Sequence, residues 1–121
     1  MAAMPLFDNG SGLSRTERIA PMAMARLLQA AFASGNMPDL MASLPISGVD
    51  GTLRSSRSRI AQGTAHLKTG SLSDVVALAG YLHTAGGRRL VLVATINHPN
   101  AAAARPALDA LVDWAIKEGN R

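Results

Sequence analysis

The side chains best suited to chemistry stand at four consecutive positions, Lys68, Thr69, Gly70 and Ser71. A lysine adds positive potential, and a threonine hydroxyl can donate a hydrogen bond to a carboxylate. Glycine lets the backbone of a ligand lie close to a strand, and the next backbone N–H, that of Ser71, can donate to a developing oxyanion. K-T-G is too short a match to assign such chemistry by itself. The alternative is a strand end that carries a solvated lysine.

The residue counts exclude several other kinds of site. The 121 residues include no cysteine, which rules out disulfides, thiol catalysis and cysteine-based metal sites. The three histidines, His66, His83 and His98, lack H-x-x-x-H spacing, so we expect neither a metal nor another cofactor. His66 is interpreted as a packed or surface residue in preference to a cleft residue. The other two histidines are interpreted as structural or solvated.

The charge balance bears on the choice of partner. The net charge is +4, and a basic balance can favour nucleic acid, anionic membranes or acidic substrates. Aromatic residues make up only 3% of the chain and the arginines are scattered, so no nucleic-acid partner is expected. The densest group, Arg54, Arg57 and Arg59, is interpreted as a solvated face. No apolar run approaches the ~18 residues that span a bilayer, so no transmembrane segment is expected.

The first part of the chain reads as helical. Apolar periodicity predicts a helix that ends near Ala33, with Gly35 as its C′ residue. It begins either in a capping box at residues 14–17 or at Pro21, in its first turn. The apolar stripe consists of Met24, Leu27, Leu28 and Ala31. Shorter helices are predicted over 38–44 and around 53–59.

The period changes further along the chain. Strands are predicted over 64–71, 75–84 and 89–96, followed by a helix that begins near 102 or 106 and ends at Lys117. The middle strand is apolar on both alternating sets of residues, so it should be covered on both faces. These elements predict an α/β fold of the α+β type. Its centre is a three-stranded antiparallel meander with helices on both faces.

Four ordered segments carry a family resemblance. A K-T-G strand followed by two strands and a helix resembles the serine penicillin-binding proteins and β-lactamases. The letters D-N-G-S-G-L-S-R at 8–15 are similar to a stretch of the class C low-molecular-mass penicillin-binding proteins, the D-alanyl-D-alanine carboxypeptidase/endopeptidases. Residues 44–53 and 79–81 resemble further segments of that group. By this resemblance, 8–121 is the C-terminal part of such a protein, a partial β-lactamase/transpeptidase-like domain, and 1–7 is an arbitrary or disordered start.

The resemblance implies a function for the longer protein. It would be a periplasmic serine-type D-Ala-D-Ala carboxypeptidase, a hydrolase of cell-wall peptidoglycan stem peptides that β-lactams also bind. Lys68 and the backbone N–H of Ser71 would be catalytic residues, the N–H as part of the oxyanion hole. The substrate would be bound by Lys68, Thr69, Gly70 and Ser71.

The family's nucleophile is missing from the chain. It belongs to a Ser-x-x-Lys motif, whose lysine helps to activate the serine. The chain has two lysines, and the residues three positions before them are Ala65 and Trp114. The isolated chain is therefore predicted to be inactive.

Alternative readings of the sequence stay open. Ser34-Gly35-Asn36 has the letters of the family's Ser-x-Asn element but lies downstream of 8–15, where the family has it upstream, so it is interpreted as a helix C-cap. The serines within 55–59 are interpreted as a polar loop. One alternative function is a non-catalytic module of the same fold that binds a peptide or partner, and a weaker one is a small basic nucleic-acid-binding domain. An open sheet edge would also allow an edge-strand dimer.

Overall fold

A computed structural model describes residues 4–8, 19–44 and 65–119. Two helices come first, then three strands, then a short 3-10 turn that runs into the last helix. The capping box at 14–17 and the short helix around 53–59 lie outside the described residues. In chain order the elements are α1 (Pro21–Phe32), α2 (Met37–Ser43), β1 (Ala65–Leu72), β2 (Val75–His83), β3 (Arg89–Asn97), the 3-10 turn (Ala101–Ala104) and α3 (Arg105–Gly119).

The three strands form the predicted antiparallel meander, in the order β1-β2-β3. Alternating residues of each strand face opposite sides of the sheet. The turn between β2 and β3 is closed by Thr84, whose hydroxyl oxygen accepts from the backbone N–H of Arg88 at 3.0 Å. Gly87 has a φ of +83° in this turn, a left-handed conformation that glycine adopts without a steric penalty. Because β2 pairs with β1 on one side and with β3 on the other, this middle strand has a neighbour along each of its edges.

One face of the sheet packs against α3 and forms the main core. The alternating apolar residues of the strands meet the apolar stripe of the helix, which includes Leu108 and Val112. Burying such a side chain contributes about 1.5–3 kcal/mol. Gly119 ends the helix close to Thr84 and Leu90, so the helix end packs tightly on the sheet. The buried core consists of Ala65, Leu67, Val76, Leu78, Leu82, Ala101, Leu108, Val112, Ala115 and Ile116.

The other face of the sheet is partly covered by α1. Tyr81 is 1% exposed, and its hydroxyl group donates a hydrogen bond of 2.7 Å to the carbonyl oxygen of Leu28. The Tyr81 ring lies 5.7 Å from the ring of Phe32, and the guanidinium carbon of Arg89 lies 5.1 Å from the Phe32 centroid. Helices therefore lie on both faces of the sheet, as predicted.

Two details of the first helix were predicted wrongly. Leu27 was placed in the apolar stripe, yet it is 54% exposed, because the helix contacts the sheet through the side of Leu28 and Phe32. Gly35 was expected as the C′ residue, but the helix ends at Phe32 with Ala33 as its C-cap, so Ser34 takes the C′ position. A carbonyl group in the last turn of the helix gains a partner from Ser34, whose hydroxyl donates to the carbonyl oxygen of Ala31 at 2.7 Å.

Candidate functional site

Strand β1 changes character along its length. Ala65 and Leu67 are buried in the core, whereas the residues from Lys68 onward are exposed, except for the half-buried Thr69. Among the described residues, the sheet has β2 on one side of β1 and no strand on the other. The K-T-G segment, Lys68-Thr69-Gly70, therefore lies at the exposed end of an edge strand.

The first two side chains of the K-T-G segment face opposite sides of the sheet. Lys68 is paired with Ala79, on the face covered by α1, and Thr69 is paired with Leu78, on the face covered by α3. Their only common side is the outer edge of the strand. A ligand that contacts both side chains must therefore lie along this edge, as an added strand would.

The backbone direction of β1 identifies the groups that point outward. A Cβ built on Gly80 of β2 would collide with the carbonyl oxygen of His66, which places this oxygen on the side of β2. Backbone groups of neighbouring residues point to opposite sides of a strand, and those of residues two apart point to the same side. The carbonyl of Thr69 and the N–H of Ser71 therefore point to the outer edge.

Lys68 reaches this same edge. Its ammonium group donates a hydrogen bond of 2.7 Å to the carbonyl oxygen of Thr69, so the side chain folds back along its own strand. An ammonium has three donors, so it can keep this bond and still face a ligand. The arrangement places a positive charge and the outward N–H of Ser71 along one exposed edge.

The two glycines in this part of the sheet differ in what they allow. A Cβ on Gly70 would meet only the Cβ of Ala77, at 3.9 Å, which is an ordinary contact. Gly80 has a φ of +155°, and a Cβ there would lie 2.9 Å from the Cα of Leu67. Gly80 is therefore needed to pair β1 with β2. Sequence reasoning gave it no such role, although an isolated glycine within a strand pattern indicates a close backbone approach.

A pair of histidines lies beside the K-T-G segment. The rings of His66 and His83 are 5.4 Å apart at 86°, an edge-to-face arrangement, and Nδ1 of His66 is buried without a hydrogen-bond partner in the described part of the chain. Burial lowers the pKa of His83, and the nearby His66 and Arg89 lower it further. Sequence reasoning treated the two histidines separately, because their contact depends on the strand register.

Other predicted groups stand apart from this site. Ser34 and Asn36 bond to each other at the end of α1, from the Asn36 N–H to the Ser34 hydroxyl at 3.3 Å, which agrees with a C-cap. The arginines of 54–59 lie outside the described residues. Within the part of the chain that is described, no three metal-ligating side chains come together, and no helix is long and apolar enough to cross a bilayer.

The order of a K-T-G edge strand, two further strands and a C-terminal helix agrees with the resemblance to penicillin-binding proteins. The sequence matches the D-Ala-D-Ala carboxypeptidase 3 (S13) family over residues 3–118, and the chain belongs to this family. It is 37% identical over 95 residues to D-alanyl-D-alanine carboxypeptidase DacB of Haemophilus influenzae. The aligned part covers 76% of this chain and 20% of that protein, so the chain spans about a fifth of its relative.

Solved structures agree with the family. Penicillin binding protein 4 (dacB) from H. influenzae superposes with a TM-score of 0.78 at 29% identity, over 97% of this chain and 28% of that one. Its complex with a novel β-lactam gives the same TM-score and identity over 93% and 28%. A predatory endopeptidase from Bdellovibrio bacteriovorus, in complex with an immunity protein, shares the fold, with a TM-score of 0.69 at 18% identity over 94% and 32%. The predicted fold class and family resemblance are confirmed.

Proposed function

We propose that this chain is the C-terminal part of a serine-type D-Ala-D-Ala carboxypeptidase/endopeptidase that acts on peptidoglycan stem peptides in the periplasm. The observation that carries the proposal is the K-T-G segment at the exposed end of β1, in a chain of the S13 family. Residues 8–121 would form one partial domain, because the relatives are several times longer than the chain. The name of the relative DacB and the β-lactam complex of penicillin binding protein 4 support the substrate class and the binding of β-lactams.

The peptide would bind along the outer edge of β1 as an added strand. The outward backbone groups of Thr69 and Ser71 would pair with the peptide backbone. Gly70 has no side chain between the strand and this ligand, and the surrounding sheet does not require a glycine there. The edge would therefore fix the direction of the peptide and the position of its last amide bond.

Each residue of the segment then has a distinct chemical role. The hydroxyl of Thr69 would donate to the terminal carboxylate, and the ammonium of Lys68 would stabilise that negative charge and the charge that develops on the carbonyl oxygen. The N–H of Ser71 would donate to the oxyanion. Such a donor is effective because it is already oriented before the reaction begins.

The serine that attacks the carbonyl carbon would come from another part of the longer protein. It would form an acyl-enzyme and release the terminal D-alanine, and water would then hydrolyse the ester. The isolated chain would supply binding and oxyanion groups only. Acylation of the isolated chain by penicillin is therefore not expected.

Lys68→Ala in the longer protein tests the proposal. Its acylation rate by a fluorescent penicillin should fall roughly 100-fold, the usual effect of removing one oxyanion-stabilising group. The matched control is Lys117→Ala, which removes the chain's other lysine from an exposed position on α3 and should leave the rate unchanged. Equal rates for the two variants would contradict the proposal. A second outcome would also contradict the proposal: the longer protein binds a D-Ala-D-Ala peptide but is never labelled by penicillin. That result would favour the non-catalytic binding module.

A further inference from the structure

A row of basic side chains crosses the α1 face of the sheet. Lys68 and His66 are two residues apart on β1, so they share this face. His66 is paired with Tyr81, two residues before His83 on β2, and His83 is paired with Arg89 on β3. The ring contact between the histidines therefore links the strand of Lys68 to the strand of Arg89.

The described elements on this face contribute no acidic side chain to the row. Helix α1 has one charged residue, Arg26, which is exposed. The ionisable groups of the three strands on this face are Lys68, His66, Tyr81, His83 and Arg89. A proton added to either histidine therefore meets other basic groups and no described carboxylate on the same face.

We propose that His66 is a positioning residue for the K-T-G segment, and that its contact with His83 makes the position of this segment depend on pH. The inference rests on the proposed function, since it concerns how the proposed substrate-binding edge is held. It concerns the sheet of this chain alone and needs neither the nucleophile nor the rest of the longer protein.

The neutral pair is compatible with the observed packing. Edge-to-face rings attract each other when the edge of one meets the face of the other. Nδ1 of His66 is buried and has no hydrogen-bond partner among the described residues. His83 has Arg89 directly across the sheet, and burial together with this neighbour disfavours a proton on the His83 ring. At neutral pH the pair is therefore predicted to hold the rings together.

Protonation of the two rings would displace strand β1 because His66 lies close to the K-T-G segment of that strand. Like charges would repel across the contact between β1 and β2, and His66 is only two residues from Lys68. Gly80 allows the strands to approach closely at the intervening position, since it pairs with Leu67. A displacement of His66 is thus passed along a short backbone segment to residues 68–71. A simple rotation of the ring would leave those residues unchanged.

An NMR titration of the isotope-labelled 121-residue chain between pH 5 and 8 separates these outcomes. The imidazole signals of the three histidines report their protonation, and the backbone amide signals of 68–71 report the environment of the site. We expect those amides to shift with the same midpoint as the imidazole of His83. Their shift should be lost in His83→Asn and kept in the control His98→Asn, which removes a histidine beyond the end of β3.

A second variant keeps the aromatic contact without the charge. In His66→Phe, the amide signals of 68–71 should stay at their high-pH positions throughout the titration. Amides of 68–71 that do not titrate in the unmodified chain, or that titrate equally in His83→Asn, would overturn the inference. The proposed function is tested separately, by penicillin labelling of the longer protein. The amide titration does not depend on labelling, so the two claims can fail independently.

Discussion

The two halves of strand β1 share a partner, a register and a backbone geometry, and differ in what surrounds them. Ala65 and Leu67 are buried in the core formed with β2 and α3, whereas 68–72 extend to the exposed end of the sheet edge. The difference indicates that the first half holds the strand in place. The second half is then free to present polar groups to a ligand. A position in the first half should therefore affect stability, and one in the second half should affect binding.

The largest expected effect is that of Leu67→Ala. Leu67 is 2% exposed, and the loss of such a buried side chain typically costs 2–5 kcal/mol of unfolding free energy. The exposed neighbouring Lys68→Ala should cost under about 0.5 kcal/mol. Urea unfolding followed by circular dichroism measures both. Similar losses for the two variants would remove the distinction between the halves.

The glycines sharpen the comparison. Gly80→Ala should lower the unfolding free energy by about 2–3 kcal/mol, because the new Cβ collides with the backbone of β1 at a φ of +155°. Gly70→Ala should change stability by less than about 1 kcal/mol, since its Cβ meets only an ordinary contact.

The role of Gly70 can also be tested by the acylation rate of the longer protein. There Gly70→Ala should slow acylation by penicillin while leaving the unfolding transition in place. If Gly70→Ala is as destabilising as Gly80→Ala, the K-T-G glycine serves the sheet and not a ligand.

The smallest expected effect is a dependence of stability on pH. His83 has an ordinary pKa of 6.5, which burial, His66 and Arg89 lower in the folded chain. Between these two values the unfolded chain binds more protons, so the unfolding free energy should decrease as the pH falls through this interval and level off below the folded pKa.

Matched histidine variants check this dependence by urea unfolding at several pH values. It should weaken in His83→Asn and persist in His98→Asn. An increase of stability on acidification in this range would contradict the assignment to His83.

Much of the fold could be predicted from periodicity. The strands were placed within a few residues of their observed ends, because alternation of apolar residues is a local property of the sequence. The exposure of Leu27 could not be predicted, since helical periodicity does not say how much of a stripe the sheet will cover. The residue types of the K-T-G segment were also readable, but the outward direction of the Ser71 N–H requires the strand register.

Features that depend on neighbouring strands were not predicted, although the isolated glycine at position 80 was a signal for one of them. The close approach at Gly80 and the contact of His66 with His83 exist only once β1 and β2 are paired. The roles assigned to Lys68, Thr69, Gly70 and Ser71 stay predictions, as does the single partial domain over 8–121.

Mapping of the penicillin adduct tests the central claim most directly. The longer protein and the 121-residue chain are each incubated with penicillin, and the modified serine is located by mass spectrometry of their peptides. We predict one penicilloyl adduct in the longer protein, on a serine outside the 121 residues, and none on the isolated chain. An adduct on any serine of this chain, or no adduct on the longer protein, would contradict the claim that β1 supplies the binding edge for a nucleophile located elsewhere.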